Sequence, residues 1–166
     1  PRLFNKLLDK TLKRMHFLPT VSDPCLYQRR VHGKLNLILV YVDDILIASQ
    51  DEEYIAFLKE QIEKEFDITD MGPLDNFLNA KVRQSANKIT MSQTHYVRDV
   101  LTTFHYRVDG KKAKTPLPAD ALEQLAAGIE HREHTDERVR EYPYRQVIGA
   151  LLYVSMYTRP EIAHAV

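Results

Sequence analysis

The chain has 166 residues, 44% of them hydrophobic and 28% charged, with 23 basic and 23 acidic side chains, so its net charge is zero. That composition is globular rather than disordered, and its single cysteine, Cys25, excludes a disulfide scaffold. The longest apolar run, Leu37–Val42, is far short of the roughly 18 residues a membrane span needs.

The first residue is Pro1 rather than Met, and no signal-peptide pattern opens the chain, so a piece of a longer protein is expected. Residues 2–17 carry Leu3, Phe4, Leu7, Leu8, Thr11, Leu12 and Met15 at helical spacing, and Pro19 ends the pattern. Cys25–Arg30 reads as a strand, and Gly33 supplies positive φ for a turn over Val31–Lys34. Between Leu35 and Ala48, 11 of 14 residues are apolar and many are β-branched, which predicts a strand pair or one strand broken at Asp43-Asp44.

Ser49-Gln50-Asp51-Glu52 matches a capping box and predicts a helix to about Phe66, with Ile55, Leu58, Ile62 and Phe66 as its buried stripe. Met71-Gly72-Pro73 is a break. Phe77–Arg83 and Lys88–Ser92 read as a hairpin, and Ser92 as the N-cap of a helix carrying Tyr96, Val97, Val100, Leu101 and Phe104. Asp109-Gly110 predicts a turn, Pro116 and Pro118 mark a linker, and residues 119–141 suit a poorly ordered stretch or a short surface helix. A last apolar helix is predicted over about Tyr144–Met156, and Pro160 suits the first position of another.

Charge is unevenly spread. Residues 1–34 carry +6, residues 35–80 carry −9, residues 81–118 carry +6 and residues 119–166 carry −3. An acidic centre between basic flanks is a reason to consider a polyanion held by the flanks, but charge alone favours one solvated acidic helix and scattered bases, because zero net charge is not the footprint of an autonomous nucleic-acid binder. Other candidates are weak. His131 and His134 lack partners at a zinc spacing, no glycine-rich phosphate loop occurs, and Cys25 has no activating neighbour. Tyr27, Tyr41, Tyr96 and Tyr106 suit base stacking or core packing, and Lys111, Lys112 and Lys114 suit phosphate contact or a solvated loop.

The informative feature is Tyr41-Val42-Asp43-Asp44 inside the apolar run. Two adjacent carboxylates in a buried strand are costly, because burial and mutual repulsion both oppose their ionisation. A divalent cation removes that cost, and Mg²⁺ favours a few carboxylates plus water and phosphate oxygens. A solvated hairpin tip that merely exposes both acids is the competing reading of the same residues.

Around that string the chain resembles the reverse transcriptase of copia-type long-terminal-repeat retrotransposons. Leu39-Val40-Tyr41-Val42-Asp43-Asp44-Ile45-Leu46-Ile47-Ala48 is similar to the family's polymerase motif C, and Ser22-Asp23-Pro24-Cys25-Leu26-Tyr27 to the strand before it. Pro1-Arg2 with Phe4-Asn5, Phe66 to Leu78, Ser92-Gln93 through Phe104, Tyr144-Arg145 with Ile148-Gly149, and Thr158-Arg159-Pro160-Glu161-Ile162-Ala163 resemble successive family segments, so the likeness runs nearly end to end.

The resemblance implies an α+β fold: an incomplete polymerase palm with an antiparallel sheet and helices over residues 1–83, a partial helical thumb over 84–115, and a linker and connecting segment over 116–166. It implies RNA-directed DNA synthesis with Mg²⁺ (Mn²⁺ as a substitute), deoxynucleoside triphosphates and an RNA or DNA template-primer, in a cytoplasmic virus-like particle or the nucleus. Asp43 and Asp44 are then the catalytic metal ligands, Tyr41 and Val42 lie near primer and nucleotide, and Phe77, Leu78 and Asn79 form a primer-grip-like segment.

The family's fingers, its upstream catalytic aspartate and its RNase H domain lie outside this sequence, so the isolated chain is expected to be inactive. Two positions depart from the family: Asn79 and His105 stand where it has glycine, which removes a close backbone approach and a helix C-cap. The alternative function is a non-catalytic nucleic-acid-binding or interaction module with the basic flanks as its surface.

Overall fold

The computed structural model of the chain describes residues 2–106, 115–118, 120–130 and 143–166. Its contacts divide into two compact units, Pro1–Pro73 and Leu74–Val166. The fold is mixed α+β, with helices and two antiparallel sheets. The division falls before the boundary at residue 83 drawn from the sequence, so Phe77, Leu78 and Asn79 belong to the second unit. The expected turn at Asp109-Gly110, the lysines at 111, 112 and 114, and His131 and His134 lie outside the described residues.

In the first unit, helix α1 (Arg2–Arg14) precedes a sheet of four strands in the order β1 (Leu18–Pro19), β2 (Leu26–Val31), β3 (Lys34–Tyr41) and β4 (Asp44–Ser49), followed by helix α2 (Glu52–Glu63). Helix α1 is shorter than the sequence suggests, and the reason is its cap. The amide of His16 bonds the carbonyl of Lys13, and that of Phe17 bonds the carbonyl of Leu12. His16 has φ 63°, which makes this a Schellman ending with histidine in the usual glycine position. The reversal turns Phe17 into the core, where it is fully buried.

The strands alternate as their sequence requires. Along β3, Asn36, Ile38 and Val40 are buried, while the residues between them are half-buried. Ile38 and Val40 join Leu8, Leu12, Phe17, Tyr27, Leu58, Ile62 and Phe66 in one core, with Ile45 and Ile47 of β4 packed against it. The Phe4 and Phe66 rings meet edge-on at 5.5 Å. Buried Asn36 is satisfied: its amide donates to the carbonyls of Arg29 and Lys34, and its oxygen accepts from Ser49 Oγ at 2.6 Å. The β2–β3 loop, His32-Gly33, has φ 50° and 79°, a type I′ pair that matches the strand twist.

The cap of α2 is two residues later than the capping box suggests. Asp51 is the N-cap and accepts from the Tyr54 amide at 3.1 Å, whereas Ser49 Oγ accepts from the Asp51 amide. The helix ends at Glu63, short of Phe66. Leu58, Ile62 and Phe66 are buried as expected, and Ile55 is half-buried. On its far side β4 has no strand partner among the described residues, so its edge is open.

In the second unit, the stretch expected as one strand over Phe77–Arg83 is two. Strands β5 (Asn76–Phe77) and β6 (Ala80–Ser85) flank a two-residue turn, and β6 pairs with β7 (Lys88–Ser92). Helix α3 (Thr94–Thr103) follows, with Gln93 rather than Ser92 at its N-cap and no side-chain capping bond. Its end repeats the α1 device: His105 has φ 53°, its amide bonds Thr102, and the Tyr106 amide bonds Leu101. The cap expected to be lost with the family's glycine is therefore kept by His105. Helices α4 (Ala121–Glu130) and α5 (Tyr144–Tyr157) and a 3₁₀ turn over Pro160–Ile162 follow among the described residues. Among the described residues no helix is long and apolar enough to cross a membrane.

Candidate functional site

Strands β3 and β4 run antiparallel in register from Asn36↔Ser49 to Tyr41↔Asp44, so Val42-Asp43 is a two-residue hairpin loop. Positive φ falls on the first loop residue alone, Val42 at 57°, which is the pattern of a type II′ turn. Glycine is usual there; a β-branched residue in the left-handed region is strained by roughly 1–2 kcal/mol. The strands below compensate by burial: Val40 and Ile38 are in the core, and Ile45 and Ile47 pack on it. A well-packed stem thus holds a strained tip, and Tyr41, Val42, Asp43 and Asp44 come together on it.

All four residues are exposed, Tyr41 by 50% and Val42 by 64%. Of the two readings of the acid pair, a buried strand or a solvated hairpin tip, the structure shows the solvated tip. The apolar run buries its stem, with Ile38 and Val40 in the core, and leaves its tip in solvent. Neither carboxylate has a hydrogen-bond or ion-pair partner among the described residues. The remaining cost is that of two like charges on adjacent residues, modest in water and relieved by a cation. No group of three His, Cys, Asp or Glu side chains that could hold a metal occurs among the described residues. The tip therefore offers two hard oxygen donors, and such a pair suits an ion that takes its other ligands from water and phosphate.

Phe77, Leu78 and Asn79 form a second turn, in the other unit. Phe77 pairs with Ala80, and the two loop residues have φ 47° and 59°. Positive φ at both central positions defines a type I′ turn. Asn79 accepts this conformation more readily than most residues, which is how the turn survives without the family's glycine. Leu78 has no such tolerance.

Two residues that sequence reasoning missed lie against this turn. The Tyr153 hydroxyl donates to the Leu78 carbonyl, and the Tyr157 hydroxyl donates to the Phe77 carbonyl at 3.3 Å. The spacing of four places both tyrosines on one face of α5, a signal present in the sequence, but nothing there says which carbonyls they reach. Of the other tyrosines singled out, Tyr27 is in the core with its hydroxyl on Asp9, and burial pushes its ionisation up. Tyr96 packs edge-on against Tyr153, and Tyr106 is exposed. The hollow lined by Glu63 to Ile68 contains none of the site residues.

Comparison with known proteins gives the family. Residues 1–118 match the family model described as reverse transcriptase (RNA-dependent DNA polymerase). The chain is 33% identical to the retrovirus-related Pol polyprotein from transposon TNT 1-94 of Nicotiana tabacum, and 28% identical to that from transposon RE1 of Arabidopsis thaliana. Both matches cover all of this chain, which spans 13% and 11% of those polyproteins. No solved structure matches it. The chain belongs to the reverse transcriptase (RNA-dependent DNA polymerase) family, as a part of a copia-type retrotransposon reverse transcriptase.

Proposed function

We propose that this chain supplies the metal-holding hairpin of a template-directed DNA polymerase, and that it works only within a longer reverse transcriptase. The observation that carries the reading is the exposed Asp43-Asp44 pair on a strained, well-supported hairpin tip, with both carboxylates free of described partners. In that role Asp43 and Asp44 would hold divalent metal, with Mg²⁺ as the expected ion and Mn²⁺ as a substitute. When bound, the ions neutralise charge on the triphosphate and on the oxygens exchanged in the displacement.

The chain's own residues do the positioning. The β3–β4 stem fixes the two carboxylates, and the Val42 backbone sets their direction. Tyr41 and Val42 present an exposed surface beside them for the primer terminus and the incoming nucleotide, and the Phe77–Asn79 turn bears on the primer backbone. The reaction is attack of the primer 3′-hydroxyl on the α-phosphate of a deoxynucleoside triphosphate, with pyrophosphate leaving. Catalysis of this kind is mostly placement and charge neutralisation.

The isolated chain should extend a primed template no faster than background. Joined to an upstream polymerase segment carrying a further aspartate, it should become active with Mg²⁺, and Asp43→Asn should return that activity to background. An assembled enzyme that keeps its rate with Asp43→Asn overturns the assignment. Independently, Mn²⁺ should broaden the NMR signals of residues 41–44 in the isolated chain, and Asp43→Asn should weaken that broadening.

A further inference from the structure

The turn at Leu78-Asn79 has a conformation its sequence does not favour. A type I′ loop is ordinarily built from Asn-Gly, because both central residues need positive φ. Here the first central residue is Leu78, at φ 47°. A left-handed leucine persists only where its surroundings over-determine it. The short β5–β6 ladder has two pairs, Asn76↔Lys81 and Phe77↔Ala80, and that ladder does not select between turn types. What differs between type I′ and type II′ is the orientation of the central peptide, which here joins Leu78 to Asn79. Flipping that peptide returns Asn79 to negative φ and leaves Leu78 positive.

The carbonyl that would swing in such a flip is that of Leu78, and it is the one that accepts the Tyr153 hydroxyl. The next carbonyl back, Phe77, accepts Tyr157 at 3.3 Å. The helix bearing these hydroxyls is itself anchored. The Tyr153 ring packs edge-on against Tyr96 at 5.2 Å, and Tyr157 lies 5.8 Å from Tyr153. Just beyond the helix, Thr158 Oγ1 donates to the oxygen of Gln93, a residue only 2% exposed, at 2.8 Å.

We infer that Tyr153 and Tyr157 are positioning residues for primer binding: the Tyr153 hydroxyl locks the 78–79 peptide in the type I′ orientation, the Tyr157 hydroxyl holds the 77–78 peptide before it, and together they fix the face that the Phe77–Asn79 turn presents to a primer strand. The inference rests on the reading of that turn as primer-binding. It assigns to residues 144–158 a part in substrate placement, acting through the turn.

The test uses the 166-residue chain and a primed RNA–DNA duplex. Tyr153→Phe and Tyr157→Phe remove the hydroxyls and keep the rings. In the wild-type chain Asn79 should show the strong amide-to-α NOE of positive φ. In the double phenylalanine variant that NOE should weaken, and duplex affinity should fall about threefold to tenfold, the range for loss of one or two hydrogen bonds. In a Leu78→Asn/Asn79→Gly background, whose loop favours type I′ unaided, Tyr153→Phe should cause no further loss of affinity.

An unchanged NOE in the double variant overturns the lock. A weakened NOE with unchanged affinity overturns the positioning role, and so does an equal loss in the Asn-Gly background. A wild-type chain with the NOE intact and no duplex binding fails at the functional reading instead, and the inference falls with it.

Discussion

At the scale of single residues, function and strain coincide at Val42. Its φ of 57° is one a β-branched side chain rarely accepts, yet it sits between Tyr41 and the two acids. Exchanging Val42 for glycine should remove the left-handed penalty and recover, after glycine's own entropic cost, about 0.5–1 kcal/mol in urea unfolding. If the proposed role is right, the same change should lower primer extension by the assembled enzyme, because a freer tip holds the carboxylates less well. His16 offers a cleaner case. It occupies the left-handed ending of α1 with φ 63°, so His16→Gly should stabilise the chain by about 0.5–1 kcal/mol, read as a higher urea midpoint with unchanged slope.

At the scale of elements, α2 is held by one cap and one stripe. Asp51 accepts from Lys34 Nζ at 3.0 Å and from the Tyr54 amide, and these bonds, the lysine first, hold its pKa below the usual carboxylate value. A lowered folded pKa means that the unfolded chain binds the proton more tightly. The cap's contribution is therefore full above the ordinary aspartate range and is lost as pH falls through the folded pKa. Urea midpoints measured from pH 7 down to pH 3 should drop, and Asp51→Asn, which can still cap, should flatten the part of that drop owed to this group. Leu58 has no exposed surface, and Leu58→Ala should cost about 2–5 kcal/mol.

Most elements were legible because period and turn chemistry agreed: the alternation of β3, the Leu58–Ile62–Phe66 stripe and the His32-Gly33 turn all follow from residue type. Two of the misplaced boundaries, the end of α1 and the Phe77–Arg83 strand, share a cause. At His16, Leu78 and Asn79 the backbone enters the left-handed region without glycine, and local propensity gives no warning of that. The Leu78-Asn79 reversal was read as continuous strand for this reason. Likewise, the sequence left open whether the two acids are buried or solvated, because nothing in the residue pattern says where the stem stops being covered.

For the whole molecule, each unit has its own packing. Residues 1–73 hold one core of nine buried apolar side chains. A domain of that size rarely gains more than about 3–5 kcal/mol from its core. Residues 1–73 expressed alone should fold cooperatively with stability of that order, and a near-ultraviolet spectrum without tertiary signal would contradict the division. The two proposed contact points fall in different units, Asp43-Asp44 in the first and Phe77–Asn79 in the second. Distance along the chain explains why the hairpin was legible and the tyrosine support was not. The acids are local in sequence, whereas Tyr153 reaches a carbonyl 75 positions away.

The unpartnered margin of β4 carries a liability. Among the described residues no strand pairs with the outer side of Asp44–Ser49, and such an edge, beside the half-buried side chains of Leu46 and Ile47, is a template on which another extended chain can assemble. Purified material should therefore self-associate as its concentration rises, and a lysine in place of exposed Ala48 should delay the onset of light scattering by electrostatic repulsion.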